Sequence, residues 1–409
     1  MTNVRCCIVG GGPAGIMLGY LLARAGLEVA VLEKHADFFR DFRGDTIHPS
    51  TLQLMYELGL LDEFLRLPHQ EVSELGGQIG DDSFTVADFS HLSTRCTFIA
   101  LMPQWDFLNF IVDQAKRYPG FHLYVNAEVT DLLFDGERVA GVRAKTPQGV
   151  EEFRADLVVG ADGRSSKVRE RAGLEILDLG APMDVLWMRL SRRESDPGQA
   201  LGRVDAGKIL VMIDRRDYWQ CGFVIAKGKL DEIKRRGLPA LRDDVAKLAP
   251  FAADRVDELR DWDDIKLLTV KIDRLKRWHR PGLLCIGDAA HAMSPIGGVG
   301  INLAIQDAVA SANILADPLL HQNLSSSDLA RVQRRREFPT RVTQRMQVFI
   351  QDRIVSAVLN SQGKLSAPWP LRAMNAFPWL RRIPARLVGV GIRPEHVATP
   401  ARAPGSRPR

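Results

Sequence analysis

Six consecutive residues constrain this chain more than any others. Gly10-Gly11-Gly12-Pro13-Ala14-Gly15 follows an apolar run of strand length, Val4 to Val9, and opens a small-residue helical stretch that runs to Ala25. Gly26 stops that helix, and a second apolar run, Val29 to Leu32, ends at Glu33. Strand, glycine-rich turn, helix and strand in this order make the βαβ unit of a dinucleotide-binding fold. Gly10 and Gly12 permit the turn and let the backbone approach a pyrophosphate, while Gly15 lets the helix pack closely. The helix N-terminus presents free amides to phosphate. Glu33 lies 18 residues past Gly15, where a carboxylate accepts hydrogen bonds from ribose hydroxyls.

Two later segments repeat the theme of a strand followed by an acid. Asp156 to Gly160 breaks into GADGRSSKVR at 160–169, and Leu283 to Ile286 breaks into GDAAHAMSPIGGVGIN at 287–302. Each alone reads equally as a strand end with a turn acid. Ile301, Ala304, Ile305, Ala308, Ala312 and Leu315 then recur at helical spacing. Residues 74–101 and 183–226 alternate instead, with Trp219, Cys221, Phe223 and Ile225 opposite Tyr218, Gln220 and Val224. That pattern predicts antiparallel strands with one packed face and one lining face. Residues 230–260 read as helical and charged, and the chain after Ser325 as helical to about Leu359.

Composition narrows the class. With 409 residues, 45% hydrophobic and 26% charged, wholesale disorder, collagen and coiled coil are excluded. No uninterrupted apolar stretch reaches membrane-spanning length, and a fold-like pattern beginning at Val4 leaves no room for a signal peptide. Cys6, Cys7, Cys96, Cys221 and Cys285 lack CxxC spacing, so they read as reduced packing residues of a cytoplasmic protein with no metal site. The formal net charge is +5, but from Asn360 onward nine Lys and Arg face one acid, Glu395. The body is therefore near neutral, and no nucleic-acid partner is expected. The basic end is either a solvated tail or a weak peripheral contact for an anionic membrane.

Together the three glycine–acid motifs resemble the class A flavoprotein monooxygenases, the para-hydroxybenzoate hydroxylase family. The resemblance rests on GGGPAG with Glu33, RGDTIHPSTLQLMYELGL at 43–60, Gln104, GADGRSSKVR, and GDAAHAMSPIGGVGINLAIQDA at 287–308. It implies an α/β fold in which a Rossmann-like FAD-binding domain is discontinuous, covering 1–73, 97–180 and 266–359. An inserted α+β substrate domain with a mixed or antiparallel sheet covers 74–96 and 181–265. Residues 360–398 become C-terminal helices packed back on the first domain, and 399–409 a disordered tail.

The resemblance also assigns residues. The turn Gly10, Gly12, Pro13, Ala14 and Gly15 would hold the pyrophosphate of FAD, and Glu33 with neighbouring Lys34 the adenosine ribose. Arg43 would lie against the cofactor phosphates, unless Asp41 and Asp45 pair with it at the surface. Gln104 would reach the ribityl chain or the pyrophosphate, Asp288 a ribityl hydroxyl. Val129, Pro295, Gly298, Gly300, Ile301 and Asn302 complete the cofactor set, the last three facing the flavin ring. Asp162 would serve FAD and the nicotinamide, or hold loops and an arginine such as Arg169. Thr46 and His48 would line the flavin or substrate cavity, His48 being equally readable as an imidazole packed at a helix start. Met212 and Gln220, with Trp187 and Trp219, are candidates for the cavity wall. No catalytic acid or base is assigned.

The implied reaction is FAD-dependent monooxygenation of an aromatic or polycyclic small molecule. NADPH or NADH reduces the flavin, O2 adds at C4a, and the hydroperoxide delivers one oxygen. The nicotinamide docks transiently, because no second GxGxxG follows. A reductase or halogenase of the same fold, or a flavin-binding sensor without turnover, is the alternative.

Overall fold

The first strand, β1 (Thr2–Val9), lies in the middle of the larger sheet because both its faces are covered. It pairs parallel with β2 (Val29–Leu32) on one side and with Gly149–Gly160 on the other. Phe121–Tyr124 extends the sheet beyond β2, and Leu283–Cys285 extends it beyond Gly149–Gly160, both in parallel. Continuous apolar runs suit strands buried on both faces, and Cys6 to Val9, Val29 to Leu32 and Leu157 to Val159 are all buried. The structure, a computed structural model, describes residues 1–39, 46–80, 82–197, 201–361, 363, 365 and 367–405.

Helix α1 (Pro13–Arg24) packs against Gly300–Leu320 and Gln104–Ala115. Gly26 ends α1 at φ +94°, a conformation that side-chain-bearing residues avoid. Among the described residues, Ile296–Leu320 is the one helical stretch long and apolar enough to cross a membrane. Most of it is buried inside this domain, which makes it a core helix.

The second sheet has seven strands, in the order Lys266–Leu268, Met183–Ser191, Tyr218–Ala226, Lys208–Asp214, Leu201–Asp205, Glu74–Ile79 and Asp82–Asp88. Its alternation matches the expectation from sequence. Trp219, Cys221, Phe223 and Ile225 join Leu186, Met188, Leu210 and Met212 in one core with the helices at 230–236 and 238–248. Val224 and Trp187 lie in a different cluster, with Ile296 of the first domain.

Three expectations are corrected. Lys266–Leu268 pairs with Met183–Ser191, so the chain re-enters the first domain only after Leu268. The C-terminal helices pack on the first domain only in part, with Val388 O 2.8 Å from His48 Nδ1. Trp369–Ala376 and Arg382–Gly389 rest on Asp82–Asp88 and the turn Phe89–His91, with Ala385 buried among Val72, Ala87, Phe89 and Leu101. The third correction concerns the tail, which is pinned as far as Gly405. The Thr399 hydroxyl donates to Asn313, the Arg402 amide to Arg24 O at 2.9 Å, and the Gly405 amide to Arg117 O at 3.0 Å. Its polar backbone finds acceptors on three helix surfaces, which composition does not reveal.

A buried charge cluster ties the last pieces together. Asp307, with no exposed side-chain surface, accepts from Arg336 Nε at 2.9 Å and pairs with His291 Nε2 at 2.5 Å. It also accepts the Gly287 amide at 3.1 Å, and Arg336 reaches on to Glu395. Burial alone would raise the Asp307 pKa, but His291 and Arg336 hold it below the usual carboxylate value. Removing one partner of such a group strands the others. Asp307→Asn should therefore cost about 3–5 kcal/mol in unfolding free energy at neutral pH. The gap should narrow as pH falls below about 4, where the wild-type carboxylate begins to protonate, first in the unfolded chain. Urea denaturation at two pH values reads both effects, and a variant as stable as wild type at pH 7 would contradict this role.

Candidate active site

Three loops leave the carboxyl ends of adjacent parallel strands, the place where open α/β sheets bind ligands. They are so close that glycine is required. A Cβ at Gly10 (φ +109°) would lie 2.4 Å from Ala161 O, and one at Gly15 would lie 1.9 Å from Gly10 O. A Cβ at Gly287 (φ +58°) would meet Ala14 and Ala304 at 3.2 Å. The glycine turn, the 160–169 loop and the 287–292 loop thus touch one another.

At the glycine turn, nothing lies within 4 Å of a Cβ built on Gly12. Gly12 caps α1 without a side-chain hydrogen bond, Pro13 follows, and the first turn carries no acid. The start of Gly300–Leu320 is similar: Val299 gives no side-chain cap and the first turn holds no acid. Two helix dipoles therefore begin at the site with no side-chain counter-charge of their own, an arrangement that suits a pyrophosphate and an electron-rich ring. Glu33 is buried, and its carboxylate accepts the Gly11 amide at 2.9 Å and the His35 amide at 3.0 Å. It closes the turn onto the end of β2.

The other sequence candidates divide. Asp288 is about one-third exposed and faces Arg164 Nε at 3.4 Å, so the two later motifs meet there. Asp162 accepts from Ser166 Oγ and the Val168 amide, and burial raises its pKa. Its bonds hold the loop, whereas Arg169 pairs with Asp273 instead. Gln104 opens its helix, Lys34 is exposed, and Val129 is a buried packing residue. Pro295 begins the tight turn through Gly298, whose φ is +62°. Arg43 lies outside the described residues.

The side chain of Asn302 is engaged within the protein. Its carboxamide oxygen accepts the His48 amide at 2.9 Å and the Thr51 hydroxyl at 2.7 Å. Its nitrogen donates to Thr46 O at 3.0 Å and Gly298 O at 3.3 Å. All four side-chain bonds are spent inside the protein, so Asn302 bolts the 46–51 segment to the start of the helix, and any group of it left for a ring is main chain. Thr46 adds a bond from its hydroxyl to Gly298 O.

His48 is fully buried at the start of Pro49–Glu57, and its Nδ1 lies 2.8 Å from Val388 O. Burial lowers its pKa to about 4, so near neutrality it is an uncharged donor at Nδ1. Its burial and its bond to Val388 fit the packed-imidazole alternative. Met212 is likewise removed from the cavity wall, since it points into the core under the helices, as does Trp219. Gln220 lies on the opposite face and accepts from Arg215 Nε at 3.3 Å. Sequence reasoning missed Asp307 and its pairing with His291. The signal was an acid within the apolar repeat of the 301–315 helix.

With this geometry in place, comparison with known proteins is decisive. Residues 3–346 match the FAD binding domain family. The chain belongs to that family. It is 32% identical over 372 residues to 6-methylpretetramide 4-monooxygenase of Streptomyces rimosus, spanning 90% of this chain and 87% of the relative. It is 25% identical to para-nitrophenol 4-monooxygenase of Pseudomonas sp. (strain WBC-3), over 74% of this chain and 75% of the relative. The solved p-nitrophenol 4-monooxygenase of Pseudomonas putida DLL-E4 shares the fold, with TM-score 0.75 and 22% identity, covering 96% of this chain and 100% of that one. The protein is an FAD-dependent flavoprotein monooxygenase that uses O2.

The Asn302 bolt yields a prediction. Asn302→Ala should destabilise the fold by about 1–3 kcal/mol for the polar groups it leaves unpaired. Asn302→Asp should be at least as damaging, because a carboxylate then faces the carbonyls of Thr46 and Gly298. Urea denaturation of both variants checks this, and an Asp variant close to wild type would overturn it.

Proposed function

We propose that this monooxygenase hydroxylates a planar, polycyclic aromatic compound, with NADH or NADPH as the electron source. The observation that carries the reading is a row across the second sheet. Trp187 pairs with Gly222, Gly222 with Val211, Val211 with Gly202, and Gly202 with Gly77. Directly paired residues share a face, and of these five only Trp187 and Val211 carry side chains, with Lys266 beyond Trp187 and Phe84 beyond Gly77 ending the row. The ring of Trp187 lies against Gly222, where a Cβ would come within 3.0 Å of it. Beyond that ring the row from Val211 to Gly77 crosses two strand spacings, roughly 10 Å of low surface. That suits fused rings better than a single one. Ile296, in the loop that leads into Gly300–Leu320, joins the apolar cluster of Trp187 and Val224, so this face looks toward the cofactor loops.

In this reading each part of the chain has one task. The amides of the 12–15 turn bind the pyrophosphate, Glu33 the ribose, and Asp288 the ribityl chain. The main chain at Gly300 to Asn302 orients the ring, and the glycine row holds the substrate flat while Trp187 excludes water. FAD supplies the redox chemistry: two electrons from the nicotinamide and two from the substrate reduce O2, placing one oxygen atom in product and the other in water. The name of the Streptomyces relative, whose substrate is 6-methylpretetramide, supports a polycyclic substrate.

Substrate-dependent O2 uptake by the holoprotein with NADPH, across single-ring phenols and linear three- and four-ring phenols, tests the reading. A Cβ at Gly202 would have its nearest neighbours at 3.6 Å, so Gly202→Val is compatible with the fold. It should raise KM for polycyclic substrates about tenfold, the loss of roughly 1.4 kcal/mol of binding, and change turnover of smaller ones little. Turnover confined to single-ring phenols, or a Gly202→Val enzyme with unchanged KM for a four-ring substrate, would contradict it.

A further inference from the structure

The helical segment at 369–389 presents a surface that the reaction does not use. Trp369, Phe377, Trp379 and Ile383 are 79%, 57%, 59% and 56% exposed. Soluble proteins seldom display large apolar side chains together without a partner. These are interleaved with exposed Arg372, Arg382 and Arg386. Trp379 and Ile383 stand one helical turn apart, as do Arg382 and Arg386 beside them, while Ala385 and Gly389 face inward. Gly389 lies so close to Phe89 and Leu92 that a Cβ would meet them at 3.0 Å. The inner side of the segment is therefore fixed, and its apolar and cationic groups project outward.

Charge identifies the occupant. Between Asp352 and Glu395 the sequence holds seven Lys and Arg and no acid. A protein partner would have to offer an acidic surface that is also apolar enough to take two tryptophans. A bilayer with anionic headgroups offers both at once: negative charge outside, and an interfacial layer that tryptophan prefers.

We propose that residues 369–386 dock this enzyme on an anionic lipid surface, with Trp369, Phe377, Trp379 and Ile383 inserted at headgroup depth and Arg372, Arg382 and Arg386 paired with lipid phosphates. The segment rests on Asp82–Asp88, the last strand of the sheet that carries the glycine row. Docking thus brings that sheet to the membrane. The proposal stands on this surface and is independent of the substrate's ring count.

Flotation of the FAD-loaded full chain with vesicles tests it. Vesicles of phosphatidylcholine and phosphatidylglycerol at 3:1 should carry the protein up, pure phosphatidylcholine should not, and 0.5 M NaCl should release it. Arg382→Gln with Arg386→Gln should weaken binding about tenfold or more, as should Trp379→Ala with Ile383→Ser. Flavin absorbance and monooxygenase turnover, which these exposed residues do not touch, should stay at wild-type level and report that each variant is folded. No flotation with anionic vesicles, or equal flotation of wild type and both variants, would overturn the proposal. So would a self-associated chain that the same substitutions dissociate while vesicles bind nothing, since the surface would then belong to a second copy.

Discussion

The close approach of three loops at the carboxyl ends of the parallel strands governs the rest of this structure. Gly15 rests on Gly10 O, Gly10 on Ala161 O, and Gly287 against Ala14 and Ala304. Each contact is possible only where a Cβ is missing, so α1, the 160–169 loop and the helix Gly300–Leu320 are brought to one point. Because they converge, two helix starts without capping side chains face the same space. A cofactor that spans a pyrophosphate and an electron-rich ring is what such a space accommodates. Asn302 and Asp307 then lock the convergence from either side: one bolts the 46–51 segment in place, the other holds Gly287 and, through Arg336, the C-terminal strap.

The glycine and acid motifs were legible in the sequence because their reason is local: a turn that needs a positive φ or a missing Cβ leaves a mark at a fixed spacing. Alternation in 218–226 was legible for the same reason, since strand period is a property of neighbours along the chain. Met212 and Gln220 were not separable from sequence, because which face of a strand looks at the cofactor depends on strands far away in the chain. The side chain of Asn302 closes four bonds to segments about 250 residues earlier and four residues earlier, which no local pattern marks. Asp307 carried a faint mark, an acid in an apolar stripe, but its partners His291, Arg336 and, through Arg336, Glu395 come together only in the fold. The tail from Thr399 reads as disordered on composition, yet as far as Gly405 its ordering comes from particular acceptors such as Asn313 and the carbonyls of Arg24 and Arg117.

The two ends of the charge distribution serve different purposes. Inside, charges are held in pairs, as at Arg169 with Asp273 and Arg255 with Asp196, where removing one member would leave the other buried and unpaired. Outside, the excess of arginine is concentrated beyond residue 360 and is screened by salt. The first kind sets the geometry of the site. The second sets what the molecule meets at its surface.

The central claim is that one dinucleotide unit, closed by Glu33, binds the adenosine diphosphate half of FAD. Titration of the apoprotein by calorimetry tests this most directly. One equivalent of FAD should bind, ADP alone should bind more weakly and compete for the same site, and FMN should neither bind comparably nor compete with ADP. FMN binding as tightly as FAD, or ADP failing to compete with FAD, would contradict the account.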